Sequence, residues 1–167
     1  MASLKSSVSF AIAFSVMTSW ADFSGHAPAL AGGVRACFER HPHHVLGTID
    51  SLGAPRLSGI NVFFDDGVLW FGSMANALKV RDIERDPRVS IHSAPLSETL
   101  DGGDARVSGQ AVRLDESRVR QWRPESPDGG TYFEIHMDRV HLVEVAEEEL
   151  VVTMWDTSRG VRIVRRS

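Results

Sequence analysis

At His41-Pro42 the spacing of apolar residues changes from that of a helix to that of a strand, and it stays strand-like almost to the C-terminus. Before that point, "ADFSGHAPALAGGVRACFERH" places Ala27, Leu30, Val34 and Phe38 at three- and four-residue steps, one apolar helix face. Pro28 suits a first helical turn and Gly32-Gly33 weakens the middle. After it, "HHVLGTID" (43–50) alternates, "SLGAP" (51–55) is turn chemistry, and "RLSGINVFF" (56–64) sets Ile60, Val62 and Phe64 on one face. Asp65-Asp66-Gly67 reads as a tight hairpin turn into "VLWFGS" (68–73). A short helix over 76–85 and the strand "RVSIHS" (88–93) follow. Then come "DARVSGQAVRL" (104–114), a short helix over 115–122 with Asp115 as its N-cap, and the strands "YFEIHMDRVHLVEV" (132–145) and "ELVVTMW" (149–155). The apolar parity slips between Met137 and Val140, which predicts a bulge near Asp138-Arg139. Strands this close, joined by tight turns, exclude a doubly wound parallel sheet, which needs a helix after nearly every strand. The expected fold is mainly β with short peripheral helices (α+β), a closed or partly closed antiparallel barrel of about six to seven strands.

A chain of 167 residues supports one domain with a real core. With 43% hydrophobic and 24% charged residues it is neither disordered in composition nor, at a formal net charge of -4, shaped for nucleic acid. Zinc-ligand spacing, a P-loop and GxGxxG are all absent, and the single Cys37 is compatible with a reducing compartment. A cytoplasmic location is expected, with no membrane partner. The first residues hold a second possibility: Lys5 precedes an apolar stretch from Val8 to Val16, too short to span a bilayer. Either residues 1–16 are a disordered extension ahead of a start at Met17, or residues 1–21 are a weak signal peptide cleaved after Ser19-Trp20-Ala21 and the protein is exported. The domain is therefore taken as 17–167.

Lys79 stands near the start of the short helix and Ser73 ends the strand before it. A helix N-terminus carries unpaired N–H groups and partial positive charge, so with an ammonium and a hydroxyl beside it, it suits a phosphate. The plain alternative is a solvated helix lysine. Arg56 opens the strand before and either pairs with a cofactor anion or lies on the surface.

The stretch "VLGTIDSLGAPRLSGINVFFDDGVLWFGSMANALKVRDIERDPRVSIHS" resembles the core of the pyridoxamine phosphate oxidase-like family, split β-barrel flavoproteins that include the deazaflavin-dependent reductases. The resemblance spans roughly residues 36–155. It implies a split antiparallel barrel acting as a homodimer, with a flavin in a groove between subunits. Lys79 matches the phosphate-binding lysine and Ser73 the preceding Thr or Ser, with Met74 beside it. Leu57, Ser58, Gly59 and Ile60 match the strand whose backbone follows the isoalloxazine ring. Trp155 and Arg165 fall where the oxidases place a C-terminal Trp and Arg against the cofactor.

The departures narrow the function. The oxidases carry an Arg and a Lys on the second strand where this chain has Ser58 and Phe63, and a Ser-Arg pair before the phosphate lysine where it has Ala77-Leu78. The tail "VRIVRR" lacks the oxidases' histidine. The resemblance thus implies an oxidoreductase that moves a hydride to or from a small organic substrate with FMN, but not a true pyridoxamine phosphate oxidase. Alternatives are a reductase using the deazaflavin coenzyme F-420 and a non-catalytic flavin- or haem-binding module. Because the cofactor carries the hydride, no catalytic side chain is assigned. The basic tail "SRGVRIVRRS" is either frayed or reaches the partner subunit's cofactor through Arg162 or Arg165. His43 and His44 point to opposite faces of a strand, which argues against a metal site. The loops at 95–103 and 123–130 are expected to shape the substrate pocket.

Overall fold

The computed structural model describes residues 17–94 and 102–167; residues 1–16 and most of the 95–103 loop, and with them the two readings of the N-terminus, lie outside the described residues. In chain order the elements are α1 (Trp20–His26), α2 (Pro28–Glu39), β1 (His44–Ile49), β2 (Pro55–Ile60), β3 (Val62–Asp65), β4 (Val68–Met74), α3 (Leu78–Arg85), β5 (Arg88–His92), β6 (Asp104–Leu114), α4 (Glu116–Trp122), β7 (Gly130–Ala146), β8 (Glu149–Asp156) and β9 (Gly160–Arg166).

All nine strands join one antiparallel sheet ordered β2-β1-β5-β6-β7-β4-β3, with β8 on β7 and β9 on β8. The sheet ends, β2 and β3, are consecutive in the chain and meet at Asn61, so the sheet curves back on itself without a ladder closing the seam. This is a split β-barrel. Strand β7 makes the split: one edge pairs with β6, while the other pairs first with β4 over Gly130–Glu134 and then with β8 from Arg139 onward.

The predicted bulge lies at this change of neighbour. Pairing steps from Gly109–Met137 to Ser108–Arg139, leaving Asp138 as the extra residue. Gly109 permits it, since a Cβ there would lie 2.0 Å from the His136 carbonyl oxygen. Met137, between the two neighbours of β7, finds its backbone partners on Thr18 instead, with both N–H···O bonds at 2.9 Å.

Four expectations change. The helix over 21–41 is two helices, because Ala27 leaves the helical region (φ -137, ψ 61) ahead of Pro28, as a residue before proline tends to do. Gly33, read as a weak point, lets α2 close onto β7: a Cβ there would sit 2.6 Å from Leu142 Cδ2. The 56–64 strand divides at Asn61, and the C-terminal tail is an ordered edge strand, β9, rather than frayed chain; together these raise the strand number to nine.

The main core packs α1 and α2 through Phe23, Leu30, Val34 and Phe38 against the barrel interior, including Leu46, Phe71, Ile91, Val107 and Met137. A second cluster, Trp70, Leu114, Val119 and Tyr132, lies on the other face of β4 beneath α4. Leu69, Trp70 and Phe71 are therefore all buried, so β4 is covered on both sides. The N-terminal half of β4 is anchored there, which fixes the position of its exposed end, Ser73-Met74.

Candidate functional site

That end of β4 opens onto a cavity of about 810 Å³, within the size range of small-ligand pockets. Its walls come from four places: the β2–β3 corner with His43 beside it, the end of β4, Lys79 on α3, and the 123–130 segment running into β7.

The Lys79 side chain turns back toward β2, and its Nζ donates to the Gly59 carbonyl oxygen at 2.7 Å. Burial lowers its pKa below the ordinary lysine value. It has no carboxylate partner among the described residues. Ser73 also lines the cavity, and its Oγ makes a stretched 3.4 Å contact with the Met74 carbonyl. Helix α3 begins after Ala77, which cannot cap it, whereas α1 and α4 are capped by Ser19 and Asp115. In the first α3 turn Val80 N–H already donates to the Ala77 carbonyl at 3.0 Å, which leaves the Leu78 and Lys79 amides for an outside acceptor.

The opposite wall is aromatic. Phe63 packs on Trp70 with ring centroids 4.6 Å apart, and Tyr132 meets Trp70 edge-on at 6.0 Å. Trp70 Nε1 donates to Asp65 Oδ2 at 2.9 Å, and Arg123 Nε donates to the same oxygen at 3.1 Å while its guanidinium stacks over Phe63 at 4.3 Å. Tyr132 Oη donates to the Pro127 carbonyl at 2.9 Å and holds the 123–130 loop in place. His43 Nδ1 donates to Asn61 Oδ1 at 2.8 Å.

The structure gathers Lys79, Ser73, Met74, Gly59 and Ile60 around this cavity. It does not bring the other expected residues there. Arg56 Nε donates to Asp82 Oδ2 at 2.7 Å, a bond within a network tying β2, β1 and α3 together. Leu57 and Ser58 lie on β2 outside the cavity, Leu57 being 74% exposed. Trp155 is buried against Phe23, ring centroids 5.0 Å apart, and Arg165 on β9 pairs with Glu149 at 3.3 Å. Neither Trp155 nor Arg165 lines the cavity. Sequence reasoning missed His43, Trp70, Arg123 and Tyr132; only the Pro- and Gly-rich 123–130 stretch signalled the loop among them.

The residues present fit a flavin mononucleotide. A cation lacking a carboxylate, a hydroxyl and the two unpaired amides of Leu78 and Lys79 suit a phosphate, and the aromatic wall suits a flat apolar ring. A Cβ added at Gly59 would meet nothing within 4 Å, so β2 presents bare backbone to the cavity there.

A family model for pyridoxamine 5'-phosphate oxidase matches residues 30–153. No curated protein matches. Among solved structures, PhzG from Burkholderia lata 383, determined in complex with tetrahydrophenazine-1-carboxylic acid, superposes with TM-score 0.62 at 12% identity, covering 75% of this chain and 82% of that one. A pyridoxamine 5'-phosphate oxidase-related, FMN-binding protein from Nostoc punctiforme gives 0.59 at 13% identity over 84% and 95%. General Stress Protein 26 from Bacillus anthracis gives 0.56 at 21% identity over 66% and 91%. At these identities the structural likenesses establish the fold, while the family match covers most of the chain and the same split barrel. The chain belongs to the pyridoxamine 5'-phosphate oxidase family.

Proposed function

We propose that this protein binds FMN in the Lys79 cavity and works, as a homodimer, as an oxidoreductase on a small organic substrate other than pyridoxamine phosphate. The observation that carries the reading is Lys79: a partly buried ammonium with no carboxylate partner among the described residues, beside Ser73 and an uncapped helix end. Ordinary lysines of this kind sit in water or on an acid; this one is held over a cavity by a neutral carbonyl. When bound, the flavin supplies a hydride acceptor or donor. The chain's residues bind and orient: Lys79, Ser73 and the amides of Leu78 and Lys79 take the phosphate, and the β2 backbone with the Phe63–Trp70 wall shapes the space for the ring. Arg56, committed to Asp82, does not share the phosphate. The FMN-binding relative from Nostoc punctiforme supports FMN as the cofactor. Support for a homodimer comes from Leu57, Met74 and Leu78, which are 74%, 81% and 55% exposed; Met74 lines the cavity and the other two lie within two residues of cavity residues in sequence.

The test is reconstitution. The purified protein is titrated separately with FMN and with the deazaflavin coenzyme, and affinities are compared for wild type and Lys79→Ala. FMN is expected to bind more tightly. Loss of one charge-assisted hydrogen bond costs about 1.5–3 kcal/mol, a weakening of roughly 10- to 150-fold. Failure of wild type to bind FMN, or an unchanged affinity in the variant, refutes the reading.

A further inference from the structure

The cavity contains one group that the cofactor reading leaves unused. His43 precedes β1 and reaches the β2–β3 corner, where its Nδ1–H is fixed on Asn61 Oδ1. That bond leaves the other ring nitrogen, Nε2, carrying a lone pair, with no partner among the described residues. Asn61 lies between Gly59–Ile60, where Lys79 is bonded, and Phe63, over which Arg123 stacks. Lys79, His43 and the aromatic wall line one cavity, so a ligand anchored by its anion at Lys79 shares that space with His43. Among the described titratable groups lining the cavity, His43 is the one imidazole. The others are Lys79, Arg123, Glu125, Asp128 and Tyr132, and the Tyr132 hydroxyl is already committed to Pro127.

We propose that His43, oriented by Asn61, is the proton acceptor of this cavity for a substrate that carries a hydroxyl or amine on the carbon losing hydride. The inference rests on the flavin reading above. In the step, the substrate's C–H and X–H bonds break and a C=X bond forms. The hydride takes its electron pair to the flavin, which is the oxidant, and the X–H proton goes to Nε2. The resulting imidazolium keeps its Nδ1–H on Asn61, so the ring need not turn. The balance of charge around it is mixed. Lys79 and Arg123 in the cavity, and His41 and His44 on its own segment, surround it together with Glu125 and Asp128 on the facing loop. Asn61 acts through His43 and is a positioning residue.

The test uses FMN-loaded protein. With 15N-labelled histidine, NMR at about pH 8 is expected to show His43 protonated on Nδ1 and bare on Nε2. FMN loading should shift its resonances, and Asn61→Ala should redistribute the ring proton between the two nitrogens. Simple primary and secondary alcohols and amines are then screened anaerobically as donors, following the bleaching of the oxidised flavin band. For the fastest donor the bleaching rate should rise with pH through an imidazole titration. His43→Gln should lose that limb and fall about 100-fold or more, with FMN affinity changed less than about twofold. A proton found on Nε2, resonances that ignore FMN, an unaltered pH profile in His43→Gln, or FMN-loaded protein that no alcohol or amine bleaches overturns the proposal. Wild type that fails to bind FMN defeats the cofactor reading instead, so the two failures are separable.

Discussion

Replacing Asp82 by Asn tests the electrostatic clamp that holds α3 against β1 and β2. The Asp82 carboxylate is buried, 3% exposed as a residue, in a chain position one helical turn beyond Lys79. It accepts hydrogen bonds from Thr48 Oγ1 at 2.9 Å, Arg56 Nε at 2.7 Å and Arg85 at 3.3 Å. Arg85 also donates to the Ile49 carbonyl at 2.5 Å, so β1, β2 and α3 converge on one acid. Burial alone would raise the Asp82 pKa, but the bonds from Arg56, Thr48 and Arg85 outweigh it, and the pKa lies below the ordinary carboxylate value. Breaking a fully buried pair costs about 3–5 kcal/mol. Here Arg56 and Arg85 have side chains 33% and 40% exposed, and Asn keeps an acceptor for Thr48, so the loss is reduced to about 1.5–3 kcal/mol. Urea unfolding near neutral pH measures it. The sign of the pH dependence follows from the lowered pKa: the acid's contribution is present above the unfolded value of about 3.9 and is lost as pH falls through the folded pKa. The gap between wild type and Asp82→Asn should therefore be constant from neutrality to about pH 5 and close below about pH 4. A gap under about 0.5 kcal/mol, or one that persists undiminished at low pH, would refute the clamp.

Two further outcomes follow from the barrel itself. Gly109→Ala forces a Cβ against the β7 backbone, 2.0 Å from the His136 carbonyl oxygen and 2.8 Å from Met137 Cα, and should cost about 2–3 kcal/mol in the same unfolding assay, whereas Gly32→Ala, with open space around it, should not destabilise. His44 is buried against Phe38 with Nδ1 unpaired, and burial, with His41 and His43 adding to it, lowers its pKa below the unfolded value of about 6.5. Wild type should lose stability as pH falls below that value, and His44→Leu should remove this slope, which unfolding midpoints at about pH 7.5 and 5.5 will show.

Local chemistry is what the sequence displayed most openly. Asp115 caps α4 through the Ser117 amide, Asp66-Gly67 turns with positive φ at both residues (48° and 73°), and the parity slip between Met137 and Val140 marks the Asp138 bulge. The errors share a cause. Ile60, Val62 and Phe64 keep the same parity through Asn61, so a period of two cannot register that the chain leaves one sheet edge and begins the other. Strand β9 contains almost nothing buried, so its "GVRIVRR" carries no core pattern to separate an edge strand from a loose tail.

The site shows a different limit, because residue type does not specify partner. Arg56 and Lys79 are both cations on the β2–α3 side of the barrel, and either suits a phosphate when read along the chain. What separates them is Asp82, three residues beyond Lys79: on α3 this places it at the neighbouring helical position, buried and aimed at Thr48 and Arg56. The buried acid needs compensation and draws in the nearer arginine; Lys79, reaching the opposite way, meets only a carbonyl. Arg123 is removed in the same manner by Asp65, which also accepts from Trp70. Two of three nearby cations are thus spent on structure, and the one left with a neutral partner borders the cavity. Asp82→Asn removes the acid that holds Arg56 and leaves the Lys79–Gly59 bond in place, so FMN affinity in that variant should stay level or rise even as stability falls, whereas Lys79→Ala should lower it.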